Sequence, residues 1–236
     1  MSSSTWTPPA VRSEARDWAA SLWRMVEAQH VASTMKIVDD AAEQDVLEML
    51  LEGSKPPQAR DAQGLDYLLA TPFRYPPRQG GSRFRGEVDP GVYYGAETVR
   101  TAAAELGYWR WRFLRDAVDL RGLEPVAHTA FCAEVRALAV DLRQPPFAAD
   151  GAVWAHPRDD LPTQGFARAV RAAGLGAIVY ASVRDAEPGW CAAVLTPAAF
   201  AGPKPLPGMQ TWWLAVHRGQ VVWRREGQSW IFAAGA

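Results

Sequence analysis

Hydrophobic residues recur every three to four positions in two segments near the start of the chain. The first segment, from Pro9 to about Val31, has the spacing of an amphipathic helix. The second, from Lys36 to Glu52, has the same spacing and ends at a glycine followed by a Lys-Pro-Pro run. We therefore expect residues 1–57 to form an N-terminal helical extension, joined by the polar segment Gln58–Gly64 to a larger domain over residues 58–236.

The rest of the sequence mixes short strands with helices. Two helices are predicted, from Thr98 to about Arg115 and from Gln164 to Ala173, and we expect Trp109 and Phe113 on the inner face of the first. The predicted strands are Phe73–Tyr75, Val92–Ala96, 126–142, Ala177–Ala181, Cys191–Leu195, Thr211–His217, Val221–Arg225 and Trp230–Phe232. Because strands outnumber helices and follow no βαβ rhythm, we expect an α+β fold with a mixed or antiparallel sheet.

The composition is that of an ordinary globular protein with almost no net charge. Of its 236 residues 48% are hydrophobic and 22% are charged, and the formal net charge is −1. No global field would attract nucleic acid or an anionic membrane, so any anion site must be local. The N-terminal sequence lacks the regions of a signal peptide and no apolar run is long enough to span a membrane, so we expect a cytoplasmic protein.

The motifs of the commonest cofactor and hydrolase sites are absent from the sequence. It has no GxGxxG, P-loop, GxSxG or HExxH motif and no Cys/His cluster, so we expect no metal. Cys132 and Cys191 are expected to be buried thiols, with a disulfide as the alternative. The run Trp109–Arg112 alternates Trp and Arg as a nucleic-acid surface can, but on a helix we expect its tryptophans to face the core. Any chemistry must therefore use Arg, Glu, Tyr and Ser.

Four short segments combine these four residue types. They are Thr71-Pro-Phe-Arg74-Tyr75-Pro, Gly81-Ser-Arg83-Phe-Arg85, Pro90-Gly-Val-Tyr93-Tyr94-Gly-Ala-Glu97 with Thr101-Ala-Ala-Ala-Glu105, and Ile178-Val-Tyr180-Ala-Ser182-Val-Arg184-Asp185. Together, over residues 67–200, they resemble the RES family, which is named for an Arg, a Glu and a Ser. The resemblance implies an ADP-ribosyltransferase-like fold that consumes NAD⁺. The flanking N-terminal segments resemble a longer RES subgroup that includes protein-modifying ADP-ribosyltransferase toxins.

The resemblance also implies roles for individual residues. The implied catalytic residues are Arg74, Tyr94, Glu105 and Ser182, and the implied NAD⁺-binding residues are Arg74, Tyr75, Arg83 and Tyr94. Arg83 lies in a segment that departs from the family pattern, because the usual Gly-Arg-Trp element is Ser82-Arg83-Phe84 here. Residues 58–236 would then be the RES catalytic domain.

These residue types suit the cleavage of NAD⁺. An arginine such as Arg74 or Arg83 can bind pyrophosphate oxygens with two N–H groups. A flat tyrosine ring can stack on nicotinamide. A carboxylate such as that of Glu105 can stabilise the oxocarbenium character that develops when the ribose–nicotinamide bond breaks. The hydroxyl of Ser182 can hydrogen-bond a ribose or the nicotinamide amide.

We therefore expect the toxin of a bacterial type II toxin–antitoxin pair. Its cleavage of NAD⁺ would pass ADP-ribose to a target protein, to phosphate or to water, and arrest growth. The resemblance implies an Xre-type antitoxin that covers the active-site cleft and through which an oligomer forms. Two alternatives stay open: an inactive interaction module of the same fold, and a serine hydrolase that uses Ser182 with His128 or His156. NAD⁺ consumption tests the first and fluorophosphonate labelling tests the second.

Overall fold

Strands dominate the fold. Eight of them form one sheet in a computed structural model that describes residues 6–28, 56–77, 80–117 and 119–233, together with positions 43, 46, 49, 50 and 53. The strands are β1 (Arg16–Glu27), β2 (Tyr93–Ala96), β3 (Gly122–Asp141), β4 (Ala177–Ala181), β5 (Trp190–Val194), β6 (Gln210–His217), β7 (Gln220–Arg225) and β8 (Gln228–Ala233). Their order is β1-β2-β5-β4-β3-β6-β7-β8, and β3 also pairs with β1. Because β3 and β4 are parallel and the other pairs antiparallel, the predicted α+β class with a mixed sheet is confirmed.

Helices pack against this sheet. They are α1 (Pro8–Ser13), α2 (Tyr67–Arg74), α3 (Val99–Asp116), α4 (Gly151–Trp154) and α5 (Leu161–Ala172). The Thr98 hydroxyl accepts a hydrogen bond from the Thr101 N–H (3.1 Å) and so caps the start of α3. α5 ends just before Gly174, whose φ of 71° is the left-handed conformation that favours glycine at a helix end. Both helices confirm the predicted segments to within a few residues.

The sheet separates two apolar cores. The larger contains Met25, Phe166 and Trp223 and is covered by α3 and α5. The smaller contains Leu22 and Tyr93 and is covered by α2. Because side chains alternate along a strand, neighbouring residues of β1 contribute to different cores. A side chain on β1 can therefore reach either face of the sheet.

An opening in the sheet separates β1 from β2. The two strands pair only where Trp23 lies opposite Ala96. On its other side β1 pairs with β3 along its whole length, from Arg16 opposite Ala139 to Glu27 opposite His128. The backbones of β1 and β2 therefore diverge on either side of one contact, which leaves room for a cleft between them.

The predicted helix from Pro9 to Val31 is wrong over most of its length. Only Pro8–Ser13 is helical, and Arg16–Glu27 is the strand β1. The apolar spacing fits a helix locally, but the continuous pairing with β3 outweighs a local preference worth only tenths of a kcal/mol per residue. This part of the expected helical extension therefore belongs to the sheet.

A second correction concerns the segment around Phe73. Phe73–Tyr75 is not a strand, because Tyr67–Arg74 forms α2 with Asp66 as its N-cap, whose carboxylate accepts a hydrogen bond from the Leu68 N–H (2.9 Å). The Pro-Pro that follows suggested a strand end, but it equally ends a helix. Trp109 and Phe113 are also not core residues of α3, since they are 43% and 54% exposed.

Most other predicted elements are confirmed. The segments matched by β2 to β8 were all predicted as strands, with shifts of a few residues at their ends. Cys132 and Cys191 are buried thiols that form no disulfide. Of the predicted helix from Lys36 to Glu52, positions 43, 46, 49 and 50 are helical, and the remainder lies outside the described residues. No helix in the described ranges is long and apolar enough to cross a membrane.

Two glycines inside helices should respond to alanine in opposite directions. A Cβ on Gly107 of α3 would lie 2.8 Å from Cγ1 of buried Val221, whereas a Cβ on Gly165 of α5 would meet nothing within 4 Å. We expect Gly165→Ala to raise the free energy of unfolding by about 0.5–1 kcal/mol through helix propensity. We expect Gly107→Ala to lower it by about 1 kcal/mol or more, because overpacking exceeds that gain.

Urea unfolding of the two variants and of the wild type measures these changes in the free energy of unfolding. A stabilised Gly107→Ala variant would show that α3 can move away from β7 at little cost. The site built on α3 would then be less rigid than its packing indicates.

Candidate active site

A cleft opens where β1 and β2 diverge. Its volume is about 980 Å³, including its open mouth. β1, β2, α3 and the loop before α5 all contribute to its walls. The lining residues are Trp23, Arg24, Met25, Ser82, Arg83, Tyr94, Gly95, Ala96, Ala102, Glu105, Leu106, Trp109, Arg112, Pro157, Arg158, Asp160, Tyr180, Arg184 and Cys191. Three residues implied by the family resemblance, Arg83, Tyr94 and Glu105, therefore share one cavity.

Glu105 and Ser182 contact each other across the helix and the sheet. Ser182 lies just after β4, and its hydroxyl donates a hydrogen bond to Glu105 Oε1 (2.7 Å). The same hydroxyl oxygen accepts from the N–H groups of Arg184 (3.3 Å) and Asp185 (3.4 Å). The proton and the lone pairs of this hydroxyl are therefore used in hydrogen bonds. Ser182 thus holds the carboxylate of Glu105 in one orientation.

Glu105 is a desolvated carboxylate that faces the cleft. Burial raises its pKa above the ordinary value, and this effect exceeds the opposing effects of the Ser182 hydrogen bond and of the charges on Arg83 and Arg184. A carboxylate with few water contacts interacts strongly with a nearby positive charge. Glu105 is therefore placed to respond to a cation that forms in the cleft.

Arg83 and Arg184 are fixed by one loop. Arg83 Nη1 donates to the carbonyl oxygens of Trp154 (2.8 Å) and His156 (3.1 Å). Arg184 Nη2 donates to the Pro157 carbonyl (2.6 Å), and its guanidinium lies 3.4 Å from the centre of the Tyr108 ring. Carbonyls and an aromatic face hold these arginines without neutralising them, so their charge stays available to an anion.

Arg24 is a third cleft arginine, on β1. Its Nη1 donates to the Tyr94 carbonyl (2.8 Å), and its guanidinium lies 4.9 Å from the centre of the Tyr93 ring. Burial lowers its pKa, and its Nε is a buried donor without a hydrogen-bond partner among the described residues. A buried guanidinium with an unsatisfied N–H is costly unless a ligand pairs with it.

The cleft is more basic than the chain as a whole. Arg24, Arg83, Arg112, Arg158 and Arg184 line it, against the carboxylates of Glu105 and Asp160. The formal net charge of the whole chain is only −1. A locally basic surface, the kind of place where an anion site in a chain of this net charge must lie, therefore lines the cleft. Among the described residues, no group of three His, Cys, Asp or Glu is placed to hold a metal ion.

Tyr94 is held by its hydroxyl at the wall of the cleft. The hydroxyl shares a hydrogen bond with Ser82 Oγ (2.8 Å) and accepts another from the Phe84 N–H (3.0 Å). Burial raises its pKa, so the phenol stays protonated. The Ser82-Arg83-Phe84 element thus anchors Tyr94 while it presents Arg83 to the same cavity.

Arg74 and Tyr75 lie elsewhere. Neither is among the residues that line the cleft. Arg74 ends α2, and its Nε donates to the Pro56 carbonyl. The Tyr75 carbonyl accepts a hydrogen bond from Arg85 Nη2 (2.8 Å), and its side chain is exposed. The structure therefore brings Arg83, Tyr94, Glu105 and Ser182 together and leaves Arg74 and Tyr75 apart from them.

Five charged residues of the cleft were missed as candidates from the sequence: Arg24, Arg112, Arg158, Asp160 and Arg184. Arg24 was missed because its segment was interpreted as a helix, in which an isolated arginine has no distinctive place. As a strand, the alternation around Trp23-Arg24-Met25 puts an arginine on a buried face, which is the signal that could have found it. Arg184 lies in the same sequence motif as Ser182, two residues after it. Asp160 lies in a loop that carries no sequence signal.

Comparisons with known proteins identify the family and the fold of the chain. The family model for the RES domain matches residues 58–217. The chain is also similar to the crystal structure of the M. tuberculosis MbcT–MbcA toxin–antitoxin complex, with a TM-score of 0.50, 11% sequence identity, and coverage of 96% of this chain and 91% of that chain. At that identity the similarity shows the fold alone. A comparison with curated protein sequences gives no match. Because the family model covers more than half of its length, the chain belongs to the RES family.

Proposed function

We propose that the chain binds NAD⁺ in the cleft and cleaves its nicotinamide–ribose bond. The observation that carries the proposal is the presence, in one cleft, of a desolvated, serine-oriented Glu105 and of arginines that form no ion pair with a carboxylate of the described ranges. RES toxins in general act on NAD⁺, and the residues of the cleft support the assignment of a binding group to each part of that molecule. ADP-ribose would pass to a target protein, to phosphate or to water.

The arginines suit the pyrophosphate of NAD⁺. Arg83 and Arg184 are fixed by carbonyl groups of one loop, so little side-chain entropy is lost when they bind an anion. Arg24 adds a third guanidinium that lines the same cleft. Guanidinium groups bind phosphate oxygens with two N–H donors at once. We assign the anion contacts to these three residues.

Glu105 would act on the ribose. As nicotinamide leaves, positive charge develops on the sugar, and an adjacent carboxylate stabilises it most strongly where water is excluded. The hydrogen bond from Ser182 fixes which oxygen of Glu105 faces the cleft. The same carboxylate could then take a proton from the incoming acceptor. Tyr94 would supply a ring against which nicotinamide packs.

We also propose a role as the toxin of a toxin–antitoxin pair. RES membership and the similarity to the toxin of a solved toxin–antitoxin complex support it. The partner would be an Xre-type antitoxin that covers the cleft, and the oligomer would form through that antitoxin. A serine hydrolase gains no support, because Ser182 contacts neither His128 nor His156 within the described ranges.

Variants of Glu105 and of two arginines test the proposed chemistry. Glu105→Gln should lower NAD⁺ turnover by a factor of hundreds, since a lost transition-state charge contact commonly costs about 3–4 kcal/mol. Arg83→Ala should lower kcat/KM by roughly ten- to a hundredfold, the usual worth of a charged hydrogen bond. Arg74→Ala is the matched control and should retain most of the turnover. Product analysis with and without phosphate identifies the acceptor.

Three outcomes are informative. An Arg74→Ala variant as inactive as Arg83→Ala would favour the assignment made from the sequence motif over the one made from geometry. A folded Glu105→Gln variant with full turnover would remove Glu105 from the reaction. A wild-type chain that leaves NAD⁺ intact would support the inactive interaction module.

The burial of Glu105 should lower the free energy of unfolding at neutral pH. Because the folded pKa is raised above the ordinary value of 4.5, the folded state holds this proton more tightly than the unfolded state does. At low pH the protonated Glu105 therefore adds to the free energy of unfolding. This contribution is lost as the pH rises from about the ordinary pKa through the raised pKa of the folded state. Glu105→Gln has no proton to lose and should be more stable than the wild type at pH 7.

Urea unfolding between pH 4 and pH 7 measures that difference, which should shrink towards pH 4. Glu226→Gln, whose side chain is 83% exposed, is the control and should follow the wild type. A difference that is independent of pH would show that Glu105 keeps an ordinary pKa in the folded protein.

An antitoxin should inhibit by occupying the cleft. The empty cleft presents Arg83, Arg112 and Arg158 beside the half-exposed Trp109, a surface suited to an acidic or carboxylate-ended segment. A partner bound more tightly than NAD⁺ excludes it by competition alone. Calorimetry of NAD⁺ with the toxin–antitoxin complex should then show no binding. Equal NAD⁺ affinity of the complex and the free toxin would contradict occlusion.

A further inference from the structure

Asp160 is a carboxylate in the cleft that has no structural function of its own. It precedes α5 as the N-cap residue, but its side chain makes no capping hydrogen bond. Within the described ranges, the carboxylate also takes part in no ion pair or hydrogen bond, although it lines the same cavity as Arg83 and Arg184. A half-buried carboxylate with unused acceptor oxygens in a binding cleft points to a ligand that donates to it.

The position of Asp160 is fixed relative to the two arginines. Arg83 and Arg184 bind the carbonyls of the loop that leads to it, at Trp154, His156 and Pro157. The Thr163 hydroxyl contacts both the Asp160 carbonyl and the Arg83 carbonyl. The carboxylate and the arginines therefore form one rigid unit.

The arginines stand between two carboxylates. Arg184 lies two residues after Ser182, whose hydroxyl binds Glu105, and its Nη2 donates to the Pro157 carbonyl in the loop that leads to Asp160, so it connects the positions of the two acids. Glu105 lies on α3 and Asp160 at the start of α5, so the two acids occupy different walls of the cleft. The cleft thus presents an acid, then a cationic centre, then a second acid.

NAD⁺ has a matching order of groups. Its nicotinamide ribose is followed by the pyrophosphate and then by the adenosine ribose. With Glu105 at the first ribose and the arginines at the pyrophosphate, the second carboxylate faces the adenosine ribose. Carboxylates commonly bind ribose hydroxyls in NAD⁺ sites, and they repel the additional 2′-phosphate of NADP⁺.

We propose that Asp160 accepts a hydrogen bond from the adenosine-ribose hydroxyls and makes the cleft select NAD⁺ over NADP⁺. This proposal rests on the proposed function, because it takes the substrate to be a nicotinamide dinucleotide. Burial raises the pKa of Asp160 while the surrounding arginines oppose that rise, which fits a carboxylate short of hydrogen-bond donors. Asp160 would therefore determine specificity and take no part in bond cleavage.

The test compares NAD⁺ and NADP⁺ with the wild-type chain and Asp160→Asn. The Asn side chain has the same size but no charge, so repulsion of the 2′-phosphate disappears. We expect the wild type to prefer NAD⁺, and the ratio of kcat/KM for NADP⁺ to that for NAD⁺ to rise at least about tenfold in the variant. The change should lie mainly in the KM for NADP⁺. Ratios measured on one preparation cancel any loss of folded protein.

Asp159→Asn is the matched control. Asp159 is the neighbouring acid, but its carboxylate accepts a hydrogen bond from the Leu161 N–H (3.1 Å) and does not line the cleft. It should keep the wild-type ratio. The 2′-deoxyadenosine analogue of NAD⁺ adds a second measurement: it should bind the wild type more weakly than NAD⁺ does, and the difference should become smaller in Asp160→Asn, whose neutral amide oxygen is a weaker acceptor.

The outcomes separate the two proposals. Turnover of NAD⁺ with an unchanged NADP⁺ ratio in Asp160→Asn overturns the role of Asp160 and leaves the proposed function intact. Binding of NAD⁺ without its cleavage overturns the proposed function, and the ratio of the two Kd values then decides the role of Asp160. A wild-type chain that binds neither dinucleotide overturns both.

Discussion

The hydrogen bond between Ser182 and Glu105 connects the two halves of the site. It joins α3 to the loop after β4, and its geometry depends on how closely the helix lies against the sheet. That distance is set by Gly107, where a side chain would collide with Val221. The carboxylate is desolvated as a result, which raises its pKa and its sensitivity to nearby charge. Rigid packing remote from the cleft is thus a condition for the chemistry proposed within it.

The opening between β1 and β2 gives that carboxylate access to a ligand. A sheet that paired β1 with β2 along its length would leave no cavity at this point. Because β1 pairs fully with β3 and at one position with β2, the sheet keeps its cohesion and still exposes Arg24 and Tyr94 to the same space. The cost is a buried guanidinium whose Nε lacks a partner within the described part of the chain. Functional sites commonly carry such unsatisfied groups.

Sequence reasoning predicted the elements whose signals are local. α3, α5 and the strands β2 to β8 have caps, turns or alternation within their own segments. β1 could not be predicted in this way, because its conformation depends on β3, more than a hundred residues away. The residues of the site divide in the same way into those with a local sequence signal and those without one. Glu105 and Ser182 stood in recognisable motifs and do meet, whereas Arg24 became visible as a candidate only once β1 was known to be a strand.

Three arginines outside the cleft are bound differently from three within it. Arg100 pairs with Asp185, Arg143 with Asp141 and Arg168 with Asp89, so these charges are neutralised locally. The cleft arginines Arg24, Arg83 and Arg184 donate to backbone carbonyls instead. A carbonyl orients a guanidinium but leaves its full charge, at the expense of the stability that an ion pair can add. A chain with a net charge of −1 can therefore contain a cationic cavity, because the arginines of the cavity are oriented by carbonyls and these three acids pair with arginines outside it.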